Sequence, residues 1–213
     1  MLTDDVSSDV FPQVETLLDL DRLLAERWAD PASFPEEEFA RARRFWLERR
    51  RHDAVLAQVR ADASDLVRGW TGRHPRDVGS FGTRVNLETS DLDLGIGCPV
   101  ETRDELMATL EPHAVFKGRR RTRFDTTRLV FAFSFRDVEI DLSALTEEDF
   151  AVACRMLDQI EAAMSEQERI AHTWVKHLLR TSGRMRDYAQ WKLVVYARFC
   201  PEFHWVPIPE KAG

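Results

Sequence analysis

The hydrophobic period of this chain changes twice along its length, and this change limits the possible fold more than any other feature. From residue 1 to about 74, and again from 146 to about 200, apolar residues recur at helical spacing. Between 75 and about 145 they alternate with polar residues instead. Helical spacing indicates amphipathic helices, and a period of two indicates half-buried strands. The order predicts an α+β fold, in which a small mixed β-sheet is flanked by an N-terminal helical segment and a C-terminal helical bundle.

The middle segment contains three predicted strands and one predicted helix. The strands follow the alternating apolar residues at 92–96, 129–135 and 138–142. Phe135–Val138 predicts a tight turn between the last two strands. The helix is predicted from Thr102 to Leu110, with Thr102 and Glu105 forming a capping box.

The N-terminal segment is dominated by one long predicted helix, from Glu36 to about Trp70. Ser33, just before Pro35, indicates a cap for this helix. The helix carries a strip of arginines that could bind phosphates, but its glutamates dilute the charge and favour a solvated face. The arginines are Arg41, Arg43, Arg44, Arg49, Arg50 and Arg51.

Composition and charge argue against several classes of protein. The 213 residues carry a net charge of −7, which argues against a protein that coats nucleic acid through bulk charge. No apolar run approaches the roughly 18 residues of a membrane span, and the acidic start lacks the features of a signal peptide. Three distant cysteines without CxxC spacing argue against a disulfide framework or a zinc cluster. We therefore expect a cytoplasmic protein with no membrane partner.

Two aspartates on one predicted strand are the strongest candidates for chemistry. Asp91 and Asp93 point to one face of the strand, where two carboxylates repel each other unless a cation lies between them. Asp141, on a later strand, completes the cluster if the two strands are neighbours; Glu139 shares its face and stays open as the third ligand. Carboxylate oxygens suit Mg²⁺. Three carboxylates around two magnesium ions can activate an attacking hydroxyl and neutralise a leaving pyrophosphate.

A glycine–serine pair, Gly79-Ser80, precedes these acids by eleven residues. A glycine backbone can approach phosphates closely, and a serine hydroxyl can hydrogen-bond to them. The pair is therefore predicted to bind phosphates.

These motifs, in this order, resemble the signature of the DNA polymerase β nucleotidyltransferase superfamily. The signature is a glycine–serine turn, an Asp-x-Asp strand and a third aspartate on a later strand, and the gap between turn and acid pair is similar to that of noncanonical poly(A) and terminal uridylyl transferases. The resemblance covers about 78–199. Arg84 departs from the pattern, because many relatives have glycine at that position.

Two further matches lie in the C-terminal segment. The run 174–179 resembles the helix in which those transferases carry a lysine for the triphosphate, here Lys176. The run 186–189 resembles the start of the following helix, whose tyrosine, here Tyr188, stacks on the base. From the residues alone, Lys176 fits a surface lysine equally well, and Tyr188 fits a core aromatic.

The resemblance implies a metal-dependent nucleotidyltransferase that moves a nucleoside monophosphate from a nucleoside triphosphate, ATP among the candidates, to an acceptor hydroxyl on an RNA 3′ end or a nucleotide. It implies Mg²⁺ or Mn²⁺ held by the catalytic acids Asp91, Asp93 and Asp141. The nucleotide would be bound by Gly79, Ser80, Lys176 and Tyr188. Alternatives are a small-molecule or protein acceptor, or a non-catalytic nucleotide-sensing or scaffold module of the same fold.

The resemblance also implies three parts: an N-terminal helical segment over 1–74 packed on the palm, a nucleotidyltransferase palm over 75–150, and a C-terminal helical region over 151–213. A basic cluster lies between the predicted catalytic strands. It is a candidate for binding the phosphates of an RNA or nucleotide acceptor, although an exposed turn would have the same composition. Its members are Lys117, Arg119, Arg120, Arg121 and Arg123.

Overall fold

The structure is a computed structural model, which describes residues 14–122 and 124–202. It confirms the α+β class, with a five-stranded mixed sheet, helices before it and helices after it. The helices are α1 (Leu20–Glu26), α2 (Glu36–Thr71), α3 (Gly79–Gly82), α4 (Arg103–Leu110), α5 (Glu147–Ala163), α6 (Glu166–Thr181) and α7 (Met185–Phe199). The strands are β1 (Arg76–Asp77), β2 (Leu92–Gly97), β3 (Val115–Arg121), β4 (Thr127–Phe135) and β5 (Val138–Leu145). None of the helices in the described part of the chain is long and apolar enough to cross a membrane.

The strands are ordered β1-β2-β5-β4-β3 across the sheet. β2 runs parallel to β5, and the other neighbouring pairs are antiparallel. The predicted tight turn between β4 and β5 is confirmed. Its central residues, Arg136 and Asp137, have φ values of 50° and 61°, as a two-residue hairpin turn that matches the strand twist requires.

Two strands were not predicted. β1 has only two residues, too few to show a period. β3 contains most of the basic cluster and is an edge strand of the sheet, paired with β4 alone. The exposed-turn alternative for this cluster is therefore wrong for Lys117, Arg119, Arg120 and Arg121. Arg123 lies outside the described residues.

Two apolar clusters hold the elements together. One face of the sheet packs against α4 and the second half of α2, which contributes Ala63 and Val67. The first half of α2, with Ala42 and Trp46, packs instead among α5, α6 and α7. The unbroken helix α2 therefore belongs to both clusters and joins the sheet to the C-terminal helices.

Both predicted helix caps in the first half of the chain are wrong. Pro35 occupies the N-cap of α2, and the Ser33 hydroxyl donates to the carbonyl of Asp30 at 2.8 Å. Thr102 precedes α4, but its hydroxyl donates to the carbonyl of Pro99 at 3.2 Å and makes no cap hydrogen bond. Each hydroxyl is used within a short 3₁₀ turn before the helix, over Pro31–Ser33 and Val100–Thr102.

Candidate active site

Adjacent parallel strands bring two of the three predicted acids together. β2 and β5 pair so that Asp93 lies directly beside Asp141, and neighbouring strands are about 4.8 Å apart. The alternating residues Leu92, Leu94 and Ile140 enter the sheet core, so the two aspartates leave the sheet on its other face. Asp91 lies one residue before β2.

The three acids share one electrostatic environment. Burial, followed by repulsion from Asp91 and Asp141, raises the pKa of Asp93 to about 6. Burial also raises the pKa of Asp141, with Asp91 adding to the shift and two cations of β3 partly opposing it. The negative charge gathered on this face of β2 and β5 is therefore only partly compensated by the protein.

The donor set fits a divalent cation, although the side chains do not form a ready-made cluster. Within residues 14–122 and 124–202, no group of three or more His, Cys, Asp or Glu side chains is placed to hold a metal ion. The donors on this face are nevertheless carboxylate oxygens, and a cation would offset both their burial and their mutual repulsion, which raise the pKa values of Asp93 and Asp141. In the strand register Asp141 lies beside Asp93, whereas Glu139 is exposed and lies 3.9 Å from Lys117. The assignment of Asp141 rather than Glu139 as the third ligand stays a prediction.

The glycine–serine pair packs directly against these acids. Gly79 begins the short helix α3 with a φ of 64°, and a Cβ added to it would collide with the Asp93 carboxylate. The backbone N–H of Val78 donates to the carbonyl of Asp93 at 2.9 Å. Ser80 is half-buried, and its carbonyl accepts from the N–H of Val85 at 2.9 Å. The pair thus lies where a phosphate near Asp93 would be, while phosphate binding itself stays a prediction.

A cleft of about 300 Å³ opens between this face of the sheet and helices α5 and α7. We call it the sheet–helix cleft; the residues that matter for its chemistry are Gly79, Asp93, Arg128, Lys192 and Tyr196. The Arg128 guanidinium donates to the Ser143 hydroxyl at 3.2 Å. Its Nε is buried without a hydrogen-bond partner in the described part of the chain. The cleft therefore places an anion-binding side chain beside the acids, on the same face of the sheet.

Lys176 is buried, with 4% of its surface exposed, so the alternative of an ordinary surface lysine is wrong. Its ammonium donates to the carbonyl of Val85 at 3.3 Å and to the hydroxyl of Ser90 at 3.1 Å. Burial and the nearby Lys192 lower the pKa of Lys176 to about 7. Lys192, rather than Lys176, lines the sheet–helix cleft. A triphosphate contact by Lys176 stays a prediction.

Tyr188 lies in the core between α6 and α7, with 3% of its surface exposed. Its hydroxyl hydrogen-bonds with Nε2 of His172 at 3.2 Å. The ammonium groups of Lys176 and Lys192 lie 5.5 Å and 5.7 Å from the ring centre, within the range of cation–π attraction. The core-aromatic alternative describes this position, and base stacking by Tyr188 stays a prediction.

Sequence reasoning missed Arg128 and Ser143, which lie on the same sheet face as Asp141. The signal was available in the period of two, because these residues occupy the non-core positions of β4 and β5. Arg84, which stands where many members of the superfamily have glycine, has an unusual backbone conformation. Arg84 has a φ of 58°, a left-handed conformation that glycine adopts more easily.

Comparisons with known proteins show no family for this chain. No protein-family model matches the sequence, and no curated protein matches it. Among solved structures, a chain described as "structure of GLD-2/RNP-8 complex" matches with a TM-score of 0.49 and 13% sequence identity. The match covers 74% of this chain and 65% of that chain. The superfamily resemblance therefore stays a prediction that rests on the motif residues.

Proposed function

We propose that this chain is a metal-dependent nucleotidyltransferase, which moves a nucleoside monophosphate from a nucleoside triphosphate to an acceptor hydroxyl. One observation carries the proposal: Asp93 and Asp141 lie side by side on parallel strands, next to Asp91, with Gly79 packed against the Asp93 carboxylate. Carboxylates held together in this way against a turn that can approach phosphates suit the transfer of a phosphoryl-type group.

In the proposed reaction the acceptor oxygen attacks the α-phosphorus of the triphosphate. The bond between the α-phosphorus and the bridging oxygen breaks, and pyrophosphate leaves. Asp141 accepts the proton of the attacking hydroxyl. Divalent ions held by the three aspartates would supply Lewis-acid stabilisation of the charge that develops on the reacting oxygens. The backbone at Gly79 and the Ser80 hydroxyl bind the terminal phosphates.

Two cations of the sheet–helix cleft are suited to the leaving pyrophosphate. Arg128 has a buried Nε without a partner among the described residues, and Lys192 lines the same cleft from α7. A guanidinium binds phosphate through paired hydrogen bonds, and an ammonium acts as a point charge. We assign both to the departing phosphates, with Lys176 holding the segment before Asp91 through Ser90.

The acceptor we propose is an RNA 3′ end or a nucleotide. The exposed edge strand β3 carries Lys117, Arg119, Arg120 and Arg121, and Arg121 also lines the sheet–helix cleft. Lys117 and Arg120 are close enough to Asp141 to lower its pKa against the effect of burial. Phosphates bound along this strand would bring a terminal hydroxyl towards Asp141.

The central test is incorporation of labelled nucleoside triphosphates, with Mg²⁺ or Mn²⁺, into a panel of short RNAs and nucleotides. We expect product from the wild-type chain and at least about a hundredfold less from Asp93→Asn and Asp141→Asn. Asp104→Asn, a change of the same kind at an exposed site on α4, is the control and should keep the wild-type rate. Unchanged incorporation by the Asp93 variant would refute the proposal.

Two further measurements refine the assignment. Glu139→Gln should retain activity if Asp141 is the third acid, and the opposite pattern would assign that role to Glu139. Lys117→Gln with Arg120→Gln should weaken RNA binding and flatten its dependence on salt, since each phosphate contact adds to that slope. Binding of a triphosphate without any transfer would instead support a nucleotide-sensing module.

A further inference from the structure

A second recess lies away from the sheet–helix cleft, between α2, the segment after α3 and the start of α6. It has a volume of about 440 Å³, within the range of ligand pockets. We call it the arginine pocket, because its lining contains five arginines but only two acids, Asp53 and Glu166. The arginines are Arg49, Arg50, Arg60, Arg84 and Arg169.

Several hydrogen-bond donors of this pocket are unused. The Nε atoms of Arg49, Arg60 and Arg169 are buried and have no hydrogen-bond partner among the described residues. Arg49 is 2% exposed, and its guanidinium lies 4.0 Å from the centre of the Trp46 ring. The three guanidinium groups keep other partners: Arg49 pairs with Asp53, Arg60 pairs with Asp77, and Arg169 donates to the backbone carbonyl of Glu161 at 2.7 Å. The unused Nε donors are therefore hydrogen-bonding capacity that remains for an anion.

The ion pairs at the rim of the pocket can be exchanged at little cost. Arg50 lies 3.7 Å from Glu166, and both side chains are more than half exposed. Arg84 pairs with Glu161, and the Arg84 side chain is 66% exposed. Exposed pairs of this kind contribute little to stability. The guanidinium groups of Arg50 and Arg84 are therefore available to an anion that carries more than one negative charge.

We propose that the arginine pocket binds an oligophosphate, either free pyrophosphate or tripolyphosphate or the phosphate chain of a nucleotide. Guanidinium groups bind phosphate oxygens through paired hydrogen bonds, and several arginines around one recess suit an anion with several charges. The apolar lining is limited to Ala54 and to Phe81, whose ring is covered by Arg60 at 5.0 Å. The pocket therefore recognises phosphates and offers no open platform for a base.

The pocket is joined to the segment that leads into the catalytic acids. Arg49 donates to the backbone carbonyl of Asn86 at 3.2 Å and pairs with Asp53 at 2.8 Å. The Asn86 amide donates to Asp53 at 2.5 Å. Because Arg84 and Asn86 lie between Ser80 and Asp91, an anion held here fixes the loop that connects the phosphate-binding turn to the acids.

The test is calorimetric titration of the full chain with pyrophosphate, tripolyphosphate and ATP, in the presence of a chelator so that no divalent metal supports binding at the aspartates. We expect saturable binding of all three, and we expect Arg50→Gln with Arg84→Gln to weaken it by about tenfold or more. Both side chains are exposed, so the double variant should fold normally. Arg43→Gln with Arg44→Gln on α2 removes the same charge at exposed sites and should bind as the wild type does.

The outcomes distinguish oligophosphate binding in the arginine pocket from binding in the sheet–helix cleft and from binding of RNA. Binding that is lost in Lys192→Gln but kept in the Arg50/Arg84 variant would place the anion in the sheet–helix cleft and overturn the proposal. Absence of oligophosphate binding would also overturn it, whether or not a single-stranded RNA binds through the same arginines. Because no transfer reaction is measured, a failure of the proposed activity leaves this result unaffected.

Discussion

Replacing Gly79 with alanine separates the geometry of the acids from the stability of the fold. Gly79 has a φ of 64°, and the new Cβ would overlap the Asp93 carboxylate, with the Asp93 Cγ at 3.1 Å and Cβ at 3.4 Å. The left-handed backbone costs an alanine about 1–2 kcal/mol. The overlap is with the end of a side chain, so it is relieved when the carboxylate turns away. We therefore expect a modest loss of stability and a displaced acid.

Displacement of a reacting group by about 1 Å can reduce a rate by a factor of about a hundred, and we expect a loss of that order in nucleotide incorporation by Gly79→Ala. Gly183→Ala is the matched control. Gly183 has a φ of 73° and no atom within 4 Å of an added Cβ, so it should lose comparable stability but no activity. Urea unfolding and the incorporation rate are measured for both. Similar rates for the two variants would refute the idea that Gly79 sets the position of Asp93.

Three further predictions concern stability. Although burial opposes ionisation of Glu38, hydrogen bonds from Thr16 and Trp174 lower its pKa below the ordinary value of 4.5. Glu38→Gln should therefore cost about 1–3 kcal/mol at pH 7, and its difference from the wild type in urea unfolding should shrink as the pH falls through the folded-state pKa. Burial and two nearby lysines lower the pKa of His172 well below 6.5. As the pH falls, the unfolded chain binds this proton before the folded chain does. The free energy of unfolding should therefore fall by up to about 1.4 kcal/mol per pH unit below pH 6.5. For His172→Asn, the free energy of unfolding should fall less steeply over the same pH range. Asp137→Gly should raise the melting temperature, because glycine suits the φ of 61° at that turn position; a lower melting temperature would contradict this.

The sequence was sufficient to predict the elements whose side chains face a core. The period of two located β2, β4 and β5, and helical spacing located the long helix α2 and the C-terminal helical region. It could not locate β3, because an exposed edge strand paired on one side has no buried face to impose alternation. The capping predictions failed for a related reason: Ser33 and Thr102 are recruited by 3₁₀ turns that leave no signal in the apolar pattern.

The candidate site was predictable only in part. Asp93 and Asp141 are neighbours because β2 and β5 pair in a register that aligns them, and the sequence could suggest that pairing but not establish it. Lys176 was expected to be either a triphosphate ligand or a surface lysine. It is buried because the segment containing Val85 and Ser90 covers it, a contact between residues about 90 positions apart. Long-range contacts of this kind follow from the assembled fold rather than from local spacing.

Helix α2 also limits how the two sides of the sheet–helix cleft can move. Its 36 residues extend over about 54 Å at 1.5 Å per residue, and they are anchored in the sheet cluster at one end and among the C-terminal helices at the other. The helix therefore connects the sheet to the C-terminal helices, which form the two walls of the sheet–helix cleft, and limits changes in the distance between them. A hinge rotation that moved those walls apart would require bending this unbroken helix. A molecule that enters the cleft would instead require smaller rearrangements of its lining, to which Thr122 and Phe124 contribute from between β3 and β4 and Lys192 contributes from α7.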